Sequence, residues 1–240
     1  MNTPVIILVQ PQMAENIGAV ARAMMNCAHS ELRLVAPRDG WPQPNAYPTA
    51  SGADEILNNA RLYETLTDAV ADLHYVLATT ANHREQVKPV YAPSAAGADL
   101  CTRISTGQNC GILFGPERAG LDNTALTHAN ALITVPLNPE FASLNLAQAV
   151  LLIAWEFHKL NTDAPPRTLQ TNGAAIATKK ELELFLARLE QTLDVAGFFT
   201  TEAQRPSMLR NLRNLFQRAD ITEQELRTLH GVITALRGNG

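Results

Sequence analysis

Short apolar runs alternate with helical patterns along residues 1–160, and this alternation constrains the fold more than any other feature of the chain. The runs are Val5 to Val9 (VIILV), Leu32 to Ala36 (LRLVA), Tyr75 to Thr79 (YVLAT), Gly111 to Phe114 (GILF) and Ala131 to Pro136 (ALITVP). Several are apolar throughout, the pattern of strands buried on both faces of a parallel sheet. The expected fold class is therefore α/β, a mostly parallel sheet with helices on both faces. Between the first two runs, Ile17, Val20, Ala21, Met24 and Ala28 recur at three- and four-residue spacing, which predicts a helix resting one face on the sheet. Arg22 lies two residues from Val20, about 200° round that helix, and so points away from the buried face.

Residues 161–177 lack periodicity and contain Pro, Asn, Thr and Gly, as a linker does. They divide a domain over 1–160 from a helical extension over 178–240. Two capping-box spacings open helices there, Thr178 with Glu181 and Thr222 with Glu225. The stripes that follow are Leu182, Phe185, Leu186, Leu189 and Leu193, then Leu226, Leu229, Ile233 and Leu236, with a shorter helix over Met208 to Phe216 between them.

Composition excludes several classes. At 46% hydrophobic and 18% charged, the chain can bury a sizeable core. Its dense apolar runs, such as residues 149–155, are far shorter than the roughly 18 residues of a membrane span. The start, MNTPVIILVQPQ, reads as a first strand and not as a signal peptide, so a cytoplasmic protein is expected. Cys27, Cys101 and Cys110 are odd in number and lack ligand spacing, which argues against disulfides and zinc; they are expected to be reduced and buried. The net charge of −4 hides an asymmetry. Residues 1–165 carry 9 Lys/Arg against 15 Asp/Glu, and residues 166–240 carry 10 against 8, so the C-terminal part is the better polyanion contact.

The chain has no GxxxxGK[ST], GxGxxG, HExxH or GxSxG, and its six histidines are scattered. Three segments stand out, each at the end of a strand candidate, where α/β folds place ligands. In Gln10 to Arg22 a polar loop runs into a helix carrying Asn16, Gly18 and Arg22. In Phe114 to Leu121 (FGPERAGL) two glycines and a proline allow close backbone approach, and Glu117 offers a carboxylate. In Val135 to Ala147 a Pro-rich loop re-enters a helix at Ser143, Leu144 and Asn145, whose unpaired N–H groups suit a polar ligand. Residues 146–157 (LAQAVLLIAWEF) are apolar on nearly every side, which calls for a second covering face such as a subunit interface.

In this order and spacing the segments N-I-G-A-V-A-R-A at 16–23, I-L-F-G-P-E-R-A-G-L at 112–121 and N-P-E-F-A-S-L-N-L-A at 138–147 resemble the motifs of the trefoil-knot (SPOUT) family of S-adenosylmethionine-dependent RNA methyltransferases, in its 2'-O-ribose branch. The tail, with L-R-N-L-F-Q-R-A and then T-E-Q-E-L-R at 222–227, resembles the extension of the bacterial enzymes that 2'-O-methylate nucleotide 32 of the tRNA anticodon loop. The resemblance implies a sheet that ends in a deep C-terminal knot, an exception to the rule that chains do not thread loops. It also implies a homodimer, a tRNA partner, and S-adenosyl-L-methionine as cofactor with no metal. Carried over residue by residue, Thr79, Thr80, Gly115, Val135, Ser143, Leu144 and Asn145 hold the cofactor. Arg22 matches the catalytic arginine, with Asn16 and Glu117 beside it in the pattern. Ala142 departs from the pattern, because related enzymes often have a second serine there.

A ribose 2'-hydroxyl attacking a sulfonium methyl needs in-line alignment and help in losing its proton. Deprotonating any arginine at pH 7 costs roughly 7 kcal/mol, so an arginine serves better as a clamp on phosphate and on the developing alkoxide than as a simple base. Ribosomal RNA enzymes share the three motifs, and a non-catalytic RNA-binding protein on the same fold is a further alternative. Only the tail favours tRNA, and Arg22 favours catalysis.

Overall fold

The computed structural model describes residues 2–81, 86–162 and 171–237. The chain forms two compact units, Met1–Ala164 and Pro165–Gly240. The first contains β1 (Val5–Val9), α1 (Ala14–Asn26), β2 (Leu32–Val35), α2 (Tyr47–Ala50), α3 (Asp54–Asn58), β3 (Arg61–Tyr63), α4 (Leu66–Val70), β4 (Tyr75–Thr79), β5 (Val90–Tyr91), α5 (Pro93–Ser105), β6 (Cys110–Phe114), α6 (Asn123–Thr127), β7 (Ala131–Ile133) and α7 (Leu146–Leu160). The second contains α8 (Lys179–Val195), α9 (Arg205–Gln217) and α10 (Glu223–Arg237).

The strands form one seven-stranded sheet in the order β3-β2-β1-β6-β4-β7-β5, and all its described pairings are parallel. Strands β1 and β6 are buried along their length and β4 as far as Ala78, because α1, α5 and α7 cover one face and shorter segments the other. Periodicity located these strands but not their edges. The sheet recruits β3 and β5, whose residues are exposed or half-buried and carry no apolar run. Conversely β7 stops at Ile133, and residues 134–136 leave the sheet as a loop.

On α1 the residues Ile17, Val20, Ala21 and Met24 are buried and Arg22 is exposed, as their spacing predicts. Ala28 is not on that stripe: the helix ends at Asn26, and Ala28 is exposed with φ of 56°. Gly18 has a packing reason. A Cβ there would lie 1.9 Å from the carbonyl oxygen of Ala46 and 2.2 Å from Thr49 Oγ1, so only glycine lets α1 lie against residues 44–50. Gly18→Ala is expected to destabilise the fold by about 1–3 kcal/mol, because a backbone carbonyl cannot move aside cheaply. A thermal melt should show Tm lower by several degrees, whatever ligand is present.

Cys27 and Cys110 are buried, and burial pushes both thiols up from their ordinary pKa; Cys101 is only half-buried, contrary to expectation. In the second unit Leu182, Phe185, Leu186, Leu226 and Ile233 form the core. Both capping boxes form: Thr178 Oγ1 accepts from Glu181 N at 3.2 Å, and Thr222 Oγ1 accepts from Glu225 N at 3.2 Å. Leu236, read as part of the α10 stripe, is 72% exposed. Among the described residues no helix is long and apolar enough to cross a membrane, and no group of three or more His, Cys, Asp and Glu is placed to hold a metal ion.

Candidate active site

Strands β6, β4 and β7 are adjacent and parallel, so the loops that follow them emerge together at one edge of the sheet. They close on a cavity of about 250 Å³. Thr79, Thr80, Gly115, Val135, Ser143 and Leu144 all line it, drawn from three loops separated by tens of residues in sequence. Its apolar wall comes from Ile133, Leu137 and one face of α7, Leu146, Ala149 and Ile153. Those residues were not expected at the site. Their three- and four-residue spacing is in the sequence, but it is hidden in a helix that is apolar on nearly every side. A larger depression of about 340 Å³ lies beyond residues 116–122, and none of Thr79, Val135, Ser143 and Leu144 reaches it.

Two local features shape the cavity. Thr79 Oγ1 donates to the Leu113 carbonyl at 3.0 Å and fixes the end of β4 against β6. A Cβ on Gly115 would lie 2.3 Å from Leu121 N and 2.4 Å from Gly120 C, so glycine is what lets this loop fold back on itself. Apolar walls with hydroxyls at Thr79 and Ser143 fit a ligand with a flat heteroaromatic ring and polar edges.

Beside the cavity, one side chain from each of the three motifs joins a single hydrogen-bonded chain. Glu117 accepts from Gln12 N at 2.8 Å and Met13 N at 3.2 Å at the start of α1, whose N-cap residue Met13 makes no side-chain cap. A carboxylate at this position also suits the positive end of the helix dipole. Asn16 Nδ2 donates to Glu117 Oε1 at 2.8 Å, and Asn145 Nδ2 donates to Asn16 Oδ1 at 3.2 Å. Asn145 does not line the cavity. It is the N-cap of α7, its Oδ1 accepting from Ala147 N at 2.9 Å and Gln148 N at 3.4 Å. Glu117 faces the cavity while both its oxygens are engaged, so it links the pocket to the helix that carries Arg22.

Arg22 itself is exposed, lines no part of the cavity, and forms no hydrogen bond or ion pair among the described residues. Arg118, on the cavity rim, is also exposed and has no ion pair there. The outer face of α7 is open too: Leu151, Leu152 and Trp155 are 39%, 41% and 52% exposed, and Met25 on the neighbouring α1 is 42% exposed.

A cavity over the carboxyl ends of a parallel sheet, with three loops closing on it, is where α/β proteins bind small ligands. The chain belongs to the SpoU rRNA methylase family, whose family model matches residues 3–155. Residues 180–239 match a second model, the C-terminal domain of the tRNA methyltransferase TrmJ. The tRNA (cytidine/uridine/adenosine-2'-O-)-methyltransferase TrmJ of Pseudomonas aeruginosa (strain UCBPP-PA14) is 35% identical over 237 residues, covering 95% of this chain and 91% of that protein. The crystal structure of TrmJ from Z. mobilis ZM4 is 47% identical with a TM-score of 0.84, covering 98% of this chain and 99% of that one. The SpoU methyltransferase AviRb from Streptomyces viridochromogenes, in complex with the cofactor AdoMet, shares the fold at a TM-score of 0.54 and 16% identity, over 69% of this chain and 61% of that one.

Proposed function

We propose that this chain transfers a methyl group from S-adenosyl-L-methionine to a ribose 2'-hydroxyl of tRNA, at nucleotide 32 of the anticodon loop, working as a homodimer in the cytoplasm. The observation that carries this reading is the chain Glu117–Asn16–Asn145, which ties the three family motifs together beside one cavity. The family's deep knot belongs to the same proposal, supported by the closure of the loops after β4, β6 and β7 on that cavity.

When bound, S-adenosylmethionine supplies an activated sulfonium methyl, so no metal is required. Val135, Leu144 and Ile153 offer apolar walls for the adenine, and Thr79 and Ser143 offer hydroxyls at its polar edge. Arg22 clamps the phosphate beside the target and stabilises the alkoxide that develops on the 2'-oxygen. Asn16 and Glu117 hold α1 in place and so position Arg22. Because Arg22 does not reach the cavity of its own chain, its work is assigned to the cavity of a second copy, brought near when the open faces of α1 and α7 pack together.

The second unit supplies an RNA contact. Helix α9 carries Arg205, Arg210 and Arg213 and no acidic residue. Arg205 is paired with Asp194 and Glu190, and Arg213 with Glu183. Arg210, and Arg218 just beyond the helix, are exposed and form no ion pair among the described residues. With Asn214 they recur every four residues, on one side of the helix. Replacing both by alanine is expected to weaken tRNA binding and to flatten the slope of log K against log salt by about 1 to 2, read from titrations at several salt concentrations.

The test of the whole reading is methylation of tRNA transcripts with nucleoside mass spectrometry. The expected result is a 2'-O-methyl group at nucleotide 32 and none on a transcript with a 2'-deoxy sugar there. Calorimetry should detect S-adenosylmethionine binding at micromolar concentration and no heat with NAD. Methylation of ribosomal RNA in place of tRNA would overturn the substrate, and absence of S-adenosylmethionine binding would overturn the reading entirely.

A further inference from the structure

Phe141 is 73% exposed, more than Trp155 at 52% or Phe198 at 45%, and it forms no ring contact among the described residues. Burying a phenyl ring against a ligand is favourable, and this ring is free to do so. The loop that carries it is a built turn. Phe141 N donates to the Asn138 carbonyl at 2.9 Å, and Glu140 N donates to Asn138 Oδ1 at 3.1 Å. On either side of this turn, Leu137 and then Ala142, Ser143 and Leu144 line the cavity. Phe141 therefore stands at the lip of the candidate site, on the motif that closes it.

The reaction proposed above brings one ribose to that lip, and with it the base that the ribose carries. Hydrogen-bond readout of that base would confine the enzyme to one nucleobase. An apolar ring does not, because every base has a π-face to stack on. The P. aeruginosa relative is named for action on cytidine, uridine and adenosine, a tolerance that suits stacking and not edge recognition. Arg118, an exposed cation on the same cavity, is suited to an adjoining phosphate. We propose that Phe141 is the platform on which the base of the target nucleotide stacks, a substrate-positioning contact that rests on the tRNA methyltransferase reading.

The experiment uses the full chain, as wild type, Phe141→Ala, Phe141→Leu and Phe141→Trp. The substrates are a tRNA transcript and the same tRNA with an abasic residue at the target nucleotide. Phe141→Ala and Phe141→Leu are expected to raise Kd and KM for tRNA about tenfold, and Phe141→Trp to stay near wild type. S-adenosylmethionine affinity and the mass by light scattering should not change. The abasic tRNA should bind wild type about tenfold more weakly, with little further loss on Phe141→Ala, since base and ring form one contact. Wild-type behaviour of Phe141→Leu, or fully additive losses with the abasic tRNA, would overturn the stacking contact. A change of mass in Phe141→Ala would instead make the ring a subunit contact. If wild type methylates no tRNA, the underlying function fails and this contact with it; if it methylates tRNA and Phe141→Ala does so equally well, only the contact falls.

Discussion

Replacing Arg22 by alanine is expected to lower kcat for tRNA methylation by about two to three orders of magnitude while S-adenosylmethionine affinity stays within about twofold. The magnitude is that of removing one donor aimed at a developing oxyanion. The selectivity follows from the geometry. Arg22 lines no part of its own chain's cavity, and the work proposed for it at a second copy's is on the phosphate and the 2'-oxygen, so the cofactor is expected to lose no contact. It is exposed and engages no described partner, so truncation leaves no buried group unpaired and Tm should not move. Arg22→Lys should recover little, because an ammonium is a point charge without the planar fork that grips a phosphate at two oxygens. Parallel loss of cofactor affinity and turnover would make Arg22 structural. Asn16→Ala offers a contrast: it breaks the link between Glu117 and Asn145, so it should disturb both quantities together.

If the chain works as the proposed homodimer, Leu151→Glu is expected to leave it monomeric and to abolish activity with it. The side chain belongs to the outer face of α7 with Leu152 and Trp155, and in the single chain it is already 39% exposed. A carboxylate there meets water in the monomer, so the isolated chain should keep its fold. In a two-fold dimer the same carboxylate would be buried without a partner in both copies, at several kcal/mol each. That raises the dimer dissociation constant by at least about a hundredfold. Light scattering reads the mass, circular dichroism the fold, and calorimetry the proposed cofactor cavity, one wall of which is the opposite face of α7. A monomer that still binds S-adenosylmethionine but transfers no methyl group is the outcome that fits a site completed by Arg22 of a second copy. A variant that stays dimeric would move the interface elsewhere, and an active monomer would remove the need for one.

Features that depend on a few neighbouring residues are legible in the order of the amino acids. The five core strands, the inward stripe of α1 with Arg22 turned outward, and the two capping boxes at Thr178 and Thr222 all follow from spacings of two to four residues, and all are present. The three motifs were also legible, and the cavity is lined by Thr79, Gly115, Val135, Ser143 and Leu144 from the residues singled out. Other features depend on partners far away in the chain and emerge only on folding. Strands β3 and β5 exist because an edge of the sheet offers them hydrogen bonds, not because Arg61–Tyr63 or Val90–Tyr91 carry a pattern. Asn145 is legible in one dimension as part of the third motif, but its neighbours are not. Folding makes it a helix cap whose amide reaches Asn16, 129 residues distant, and gives Glu117 the task of holding the start of α1. The near-uniform apolarity of residues 146–157 likewise could not say which side faces what. Packing resolves it into a cavity wall at Leu146, Ala149 and Ile153, a core face at Val150 and Phe157, and an open face at Leu151, Leu152 and Trp155. Periodicity reports the burial that a side chain requires, and only the three-dimensional neighbours settle which group satisfies it.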